Sequence, residues 1–498
     1  MEEKSIIIIG AGLAGLSAGC YARMNGYKTQ IFEMHNIPGG LCTSWNRNGY
    51  IFDGSIHYLT GSRSGIYHRF YEELGATQGR RMVDNEELLR VEWAGGKTWA
   101  VYSDLDRLEQ HMKELSPADA GIIEELCNTA RRLLRFELPL AKPMELMGPL
   151  DMLKLLKDMP VMRALGKYGK ISMQDYAARF NDPFLREAFP FIIEDIPGMS
   201  MTGVLFVLAN LHKKNNGWPI GGSLEFSRAI EKRYRDLGGQ VQYKSRIEKI
   251  LVEANQAVGV RLADGTEHHA DLVISAADGH TTIFDMLDGK YVNDKIRHYY
   301  DEWPIFEPYI QISLGVACDL SKEPHSLILQ FEEPLDIGDQ MRKWVAVRHF
   351  CYDHTLAPSG KSVVTASFLF VSYEYWKKLY EDRERYKAAK QTLAAAVIDR
   401  LEKRFPNIKD QIEVVDVTTP VTYERYTGNW RGSYMGWKAM PTETSKWMSR
   451  TLPGLGSFYM AGQWIFPGGG VPGAIVSGRH LMQIICKKDK KQFTTTVP

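Results

Sequence analysis

At 498 residues, 44% hydrophobic and 24% charged, the chain has an ordinary globular composition and enough length for two or three domains. Lys plus Arg (61) cancels Asp plus Glu (60), so no global field exists to hold a polyanion, and nucleic-acid binding is not expected. Cys20, Cys42, Cys127, Cys318, Cys351 and Cys486 form no Cys-x-x-Cys pair and no metal-ligand spacing with histidine, which fits a reducing cytosol and no metal site.

The start, MEEKSIIIIGAG, is acidic and has only four isoleucines before its glycines, so it reads as neither a signal nor a transit peptide. No apolar run approaches the roughly 18 residues that span a bilayer, so the expectation is a cytoplasmic protein, soluble or resting on a membrane surface. Ser5 to Ile9 has the pattern of a parallel strand buried on both faces. It feeds Gly10-Ala11-Gly12-Leu13-Ala14-Gly15 and then a helix-like stretch, the order a dinucleotide fold requires. Gly10 serves the tight turn, Gly12 the backbone approach to a pyrophosphate, and Gly15 close helix packing. A second strand, Lys28 to Phe32, ends in Glu33, whose carboxylate suits ribose hydroxyls and repels a 2′-phosphate, so the ligand is FAD or NAD rather than NADP.

Gly39-Gly40-Leu41-Cys42-Thr43-Ser44 follows. A second glycine pair is unnecessary for NAD and suits an extended FAD. Residues 50 to 61, YIFDGSIHYLTG, read as a half-buried strand that runs into Asp53 and Gly54 and then presents His57 in apolar company. Three roles stand for His57: moving a proton beside a flavin or tuning it, a hydrogen-bonded structural group, or a covalent flavin anchor.

Residues 138 to 168 are rich in Leu and Met with Lys142, Lys154, Lys157, Arg163 and Lys167 interspersed, and prolines divide them into short helices. The segment is either a helical lid over the core or an amphipathic surface that docks on lipid. Trp218 to Ser223 precede an amphipathic helix from Leu224 to Leu237, then a hairpin and a returning strand through ADLVISAAD. Strands are expected at Tyr309 to Val316, Ser326 to Phe331, Trp344 to Phe350 and Val363 to Phe370, and a long helix carries Leu393, Val397, Ile398 and Leu401 on one face. These make an antiparallel sheet with helices.

Near 423, TYERYTGNWRGSYMGW places Tyr426, Trp430 and Tyr434 four residues apart, with Gly428, Gly432 and Gly436 breaking any helix. The result is a loop of aromatics that either lines a flavin cavity or only connects domains. Arg425 and Arg431 offer an alternative grip on a substrate carboxylate. Finally SFYMA runs into Gly462, and Gly468, Gly469 and Gly470 precede a helix that Pro472 opens and whose Ala474, Ile475, Gly478 and Leu481 make a packing face. Its N-terminus aimed at a flavin supplies partial positive charge where a reduced ring is anionic. The end, KKDKKQFTTTVP, reads as frayed.

Together the glycine turn, Gly39-Gly40-Leu41, the Phe52 to Tyr58 run and Gly470-Val471-Pro472-Gly473 resemble the FAD-dependent phytoene desaturase, carotenoid isomerase and retinol saturase group, within the amine oxidase-like flavoproteins. The resemblance implies an α/β fold: a discontinuous Rossmann-type FAD-binding domain (1–61, 218–284, 454–486) with an inserted substrate domain of antiparallel sheet plus helices (62–217, 285–453) and a flexible tail (487–498). It implies FAD contacts from Gly10, Gly12, Ala14, Gly15, Glu33, Gly39, Gly40, Leu41, Ser55, Ile56, His57, Gly462, Gly470, Val471, Gly473 and Ala474, with the backbone of Ile247 near the adenine. It also implies hydride exchange with flavin N5 on a long isoprenoid or polyene that is desaturated, saturated or isomerised, with Tyr426, Trp430 and Tyr434 toward the substrate and His57 as the catalytic candidate. A flavin amine oxidase and a protein using FAD structurally are the rival readings. No second Gly-x-Gly-x-x-Gly follows a strand, which disfavours a separate nicotinamide domain and leaves the electron partner open. Two positions depart from the family pattern: Leu41 stands where relatives often carry Arg, and Gly54 comes one place early.

Overall fold

The structure, a computed structural model, describes residues 3–193, 198–438, 448–466 and 468–498. Its first layer is a parallel sheet of five strands in the order Gln240–Gln242, Lys28–Phe32, Ser5–Ile9, Leu272–Ser275, Phe458–Met460. The isoleucine run occupies the centre. Ile6 and Ile8 enter one core cluster and Ile7 and Ile9 the cluster on the opposite face, which is why every position is apolar rather than alternate ones. Helices Leu13–Met24, Gly222–Asp236 and Gly470–Lys488 cover the first face. A three-stranded antiparallel sheet, Ile247–Glu253, Gln256–Leu262 and Glu267–His269, covers the second.

A second sheet of seven strands runs in the order Ile412–Thr418, Ile310–Val316, Ser362–Phe368, Met341–His349, Ser326–Asp336, Glu87–Glu92, Thr98–Tyr102. The four strands expected here are present. The hairpin 87–102 extends the sheet, so both inserts share one layer, and it joins through the parallel pairing of Leu327 with Arg90. That junction makes the sheet mixed rather than purely antiparallel. Helix Arg383–Arg404 packs Leu393, Val397 and Leu401 against this sheet. The α/β class is the one expected.

Two segments differ from expectation. The last residues are docked rather than frayed: the Thr494 N–H donates to Asn25 Oδ1 at 2.8 Å, Arg233 Nη2 donates to the Thr496 carbonyl at 2.9 Å, and the Phe493 ring lies 5.8 Å from Tyr21. One aromatic ring and the threonines outweigh the neighbouring lysines. Tyr423 and Tyr426 belong to a short helix, Pro420–Thr427, rather than to a loop; Gly428, at φ 70°, ends it in a left-handed cap.

Candidate active site

One cavity of about 1840 Å³ runs from the first glycine turn, past Glu33 and the loop 39–47, to the face of the seven-stranded sheet. Of the residues expected to hold a cofactor, Gly10, Gly12, Ala14, Glu33, Gly39, Gly40, Leu41, Ser55, Ile56, His57, Ile247, Gly462, Gly470, Val471 and Ala474 line it. Gly15 and Gly473 do not. Gly15 lies beneath the turn against Gly10, and Gly473 faces the Phe466 ring.

Two helices begin on this cavity, one after Gly12 and one after Gly469, and neither N-cap makes a side-chain hydrogen bond. Helix N-termini leave backbone N–H groups without intrahelical acceptors, and anions satisfy them. A Cβ on Gly12 would meet only the Gly39 carbonyl, at 4.0 Å, so the turn stands open to a ligand. The Glu33 carboxylate accepts one backbone bond on each oxygen, from Ala11 at 2.7 Å and His35 at 2.8 Å. A carboxylate has about four acceptor positions, so two remain for hydroxyls. The residues present fit an extended dinucleotide with its pyrophosphate at the first helix and its far ring at the last.

The loop after strand Tyr50–Asp53 is held from both domains. Asp53, fully buried, accepts from the Ser223 N–H (2.6 Å), the Ser223 hydroxyl (2.6 Å) and the Ser55 N–H (3.1 Å). Burial pushes its carboxyl above the ordinary range. From the other side Gln311 donates to the Asp53 carbonyl at 3.0 Å and Tyr309 to the Gly54 carbonyl at 2.8 Å. The early glycine has a steric cause: a Cβ on Gly54 would lie 2.8 Å from the Trp45 ring.

His57 is exposed on the cavity wall rather than packed in a core, and its neighbour is cationic rather than apolar. Its Nε2 lies 3.4 Å from Nη1 of Arg348, a buried residue on strand Met341–His349. Arginine offers only donors, so in this long contact Nε2 stands as the acceptor.

The aromatic triplet separates. Tyr434 lines the cavity with its ring edge-on to Tyr309 at 5.3 Å. Tyr426 also lines it, but beside His35, 5.3 Å away, at the Glu33 end. Trp430 is outside the lining: it stacks on His280 at 5.2 Å and joins Tyr300, Trp437 and Trp464 in an aromatic cluster. Left-handed Gly432 and Gly436 turn the chain between these rings, so equal spacing does not put them on one face. Arg431 pairs with Glu374 at 2.7 Å, away from the cavity.

The sequence reading missed Arg348 and Asp278. Asp278, just beyond the carboxyl end of strand Leu272–Ser275, has the position at which parallel sheets present ligand groups, and that signal was available. It lines the cavity and accepts from the Thr281 N–H at 2.8 Å and the Trp430 N–H at 2.9 Å. Burial pushes its carboxyl from 3.8 up to about 6. Because the folded value is the higher one, its contribution to stability is full below about pH 4 and is lost as pH rises through 6. A shift from 3.8 to about 6 corresponds to about 3 kcal/mol. We therefore expect wild type, measured against Asp278→Asn by chemical denaturation, to lose about 3 kcal/mol of relative stability between about pH 4 and 7.5. A difference that stays flat across that range contradicts the assignment. Among the described residues, no group of three or more His, Cys, Asp or Glu is placed to hold a metal ion.

Comparisons with known proteins bear on the whole chain. The family model for flavin containing amine oxidoreductase matches residues 13–481. A chloroplastic prolycopene isomerase from Arabidopsis thaliana is 26% identical over 502 residues, covering 95% of this chain and 81% of the relative. A phytoene desaturase (lycopene-forming) from Pseudescherichia vulneris is 24% identical, covering 96% and 98%. Among solved structures, an oxidoreductase from Methanosarcina mazei superposes with a TM-score of 0.60 at 17% identity, covering 96% of this chain and all of that one, a likeness of fold.

Proposed function

The chain belongs to the flavin-containing amine oxidoreductase family and is an FAD-dependent oxidoreductase, and from that premise we propose that it acts on carbon–carbon bonds of a long apolar isoprenoid or polyene, by desaturation, saturation or isomerisation. The observation that carries this is the apolar wall of the cavity beyond the cofactor groove. The 1840 Å³ includes the dinucleotide groove, and beyond that groove the cavity continues between the apolar side chains of Phe191, Met199, Ile328, Trp344 and Phe368. The carotenoid relatives support the same substrate class.

When bound, FAD supplies two-electron hydride exchange at N5. In this reading the N-terminus of helix Leu13–Met24 holds the pyrophosphate with Gly10, Gly12, Gly39 and Gly40, Glu33 takes the ribose, and the backbone of Ile247 meets the adenine. The N-terminus of helix Gly470–Lys488 lends partial positive charge at the flavin end. His57, oriented by Arg348, moves the accompanying proton, and Tyr434 with Tyr309 walls the substrate. Tyr426 serves the nucleotide end instead.

The test is anaerobic mixing of the FAD-loaded chain with micellar substrates. Bleaching of oxidised FAD by an isoprenoid, or recolouring of reduced FAD by a polyene, is the expected result. Bleaching by primary amines alone would establish an amine oxidase in its place; an isomerase leaves the flavin spectrum unchanged and instead shifts the polyene's own absorbance, so no response of the flavin and no change in the polyene would leave a structural flavin. His57→Ala should slow the response by roughly 10²- to 10⁴-fold, the usual reach of a positioned proton-transfer group, with FAD content unchanged. Full rate in that variant removes His57 from the chemistry.

A further inference from the structure

Of the two arginines that offered a grip on a substrate anion, Arg431 is spent on Glu374, but Arg425 lines the cavity. It stands where the hairpin of strands Ser44–Arg47 and Tyr50–Asp53, helix Arg383–Arg404 and helix Pro420–Thr427 meet. Here the cavity wall carries four cations, Arg47, Lys377, Lys390 and Arg425, and two carboxylates, Asp416 and Glu424. Arg47, Lys377 and Arg425 are exposed while lining the cavity, so this is a mouth open to solvent. The whole chain has a net charge of only +1, so the excess is local.

Both carboxylates are already occupied. Asp416 accepts from Trp45 Nε1 at 2.7 Å and lies 3.6 Å from Arg47 Nε, while Glu424 accepts from Lys377 at 2.6 Å and from the Tyr373 hydroxyl at 2.7 Å. Among the described residues Lys390 and Arg425 enter no ion pair. Aromatic rings hold them instead: the Arg425 guanidinium lies 4.7 Å from the centre of the Tyr426 ring and Lys390 Nζ 5.4 Å from that of Tyr386, whose hydroxyl is fixed on Thr419 at 2.7 Å. The Tyr380 ring stands edge-on to Tyr386 at 5.1 Å. A cation seated on a ring keeps donors for a ligand. Burial, with Arg425 and Arg47 nearby, holds the half-buried Lys390 ammonium below its ordinary value against the pull of Asp416.

We propose that Lys390, Arg425 and Arg47 bind the phosphate of a phosphorylated ligand at this mouth. Charge selects phosphate over carboxylate. The wall leaves two positive charges unbalanced, a phosphate monoester carries about −1.5 to −2 at pH 7, and arginine forks fit its oxygens in pairs. The cofactor's own pyrophosphate has its place elsewhere, at the start of helix Leu13–Met24. Two sources present the group: the head of a phosphorylated isoprenoid whose chain enters the apolar cavity, and a soluble dinucleotide that brings electrons to the flavin. The site stands on the cations themselves; only the choice between these sources rests on the function proposed above.

Pyridoxal 5′-phosphate is the probe. Its phosphate docks, and its aldehyde condenses with the Lys390 amine to an imine with loss of water. Borohydride then adds hydride at the imine carbon and leaves a stable secondary amine. Peptide mass spectrometry of the FAD-loaded full chain should find Lys390 labelled well ahead of Lys378, an exposed lysine on helix Tyr373–Leu379 outside the cavity, and inorganic pyrophosphate should protect Lys390 alone. Arg47→Gln/Arg425→Gln should lower Lys390 labelling at least about tenfold, the effect of one lost charge-assisted hydrogen bond, with flavin content unchanged. Stronger protection by geranylgeranyl diphosphate than by NADPH puts the phosphate on an isoprenoid, and the reverse order puts it on a dinucleotide. Equal labelling of Lys390 and Lys378, no protection by pyrophosphate, or unaltered labelling in the double variant would each overturn the proposal. Loss of flavin from the double variant overturns it as well, because the charges then serve the cofactor's own pyrophosphate. Labelling needs no turnover, so its outcome is independent of the carbon–carbon chemistry.

Discussion

Gly15→Ala should purify without FAD. A methyl group at this position would sit 2.0 Å from the Gly10 carbonyl oxygen and 3.3 Å from the Ala276 side chain. Neither neighbour can give way: the Gly10 N–H is bonded to the Phe32 carbonyl at 2.8 Å, and the Ala276 N–H to the Ile9 carbonyl at 3.0 Å. The first helix must move off the sheet instead, and the uncapped N–H groups that open on the cavity move with it. Overpacking a rigid contact costs about 1–3 kcal/mol. If the upper figure falls on the ligand-competent state, FAD affinity drops by roughly 100-fold. The ratio of flavin to protein absorbance and a titration of apoprotein with FAD measure this. Stoichiometric flavin in the variant would mean that the turn does not carry the pyrophosphate.

Asp53→Ala should be the costliest single change beside the cavity. It removes the acceptor of three hydrogen bonds in a dry site and strands the Ser223 and Ser55 donors, each at about 1–3 kcal/mol. A loss of about 4 kcal/mol is expected, read as a shift in denaturant midpoint. Asp53→Asn keeps one acceptor and should lose about half of that. The functional consequence should exceed the stability loss, because the loop carrying His57 loses its carboxylate anchor and keeps only the bonds from Gln311, Tyr309, the Gly54 N–H to Thr43 and the Ile56 N–H to the Ser223 hydroxyl. Equal stability of Asp53→Ala and wild type would show that water replaces the carboxylate.

What could be read from the sequence was local. The isoleucine strand, the glycine turn, Glu33 and the C-terminal helix, which begins at Gly470 rather than at Pro472, each declare themselves within about 25 residues, the length of a strand–turn–helix unit. The contacts that complete the site are not local. His57 meets Arg348 across 291 positions, and Gln311 donates to the Asp53 carbonyl across 258. An arginine in a strand shows its charge in the sequence but not its partner. Helices Pro149–Lys157 and Met159–Tyr168, which leave Leu150, Leu153, Leu156, Met159 and Met162 exposed, fail for a related reason: apolar residues at helical spacing announce a face, and nothing in the spacing says whether a core covers it. Trp430 departs from the expectation because a loop of aromatics fixes no common direction: its ring is taken up by His280, Tyr300, Trp437 and Trp464, which lie far from it in sequence or across the glycine turns.

The order of strands in the parallel sheet has a consequence for how the protein is made. Ser17 donates to the carbonyl of Ile475, 458 positions further along, so the first helix packs against a partner that is synthesised much later. At about 5–20 residues per second that first helix waits roughly 25 to 90 s with one greasy face bare. Cofactor capture is therefore a late event of synthesis. Chains interrupted anywhere before the last helix expose the same surface, which makes them clients of holding chaperones and proteases.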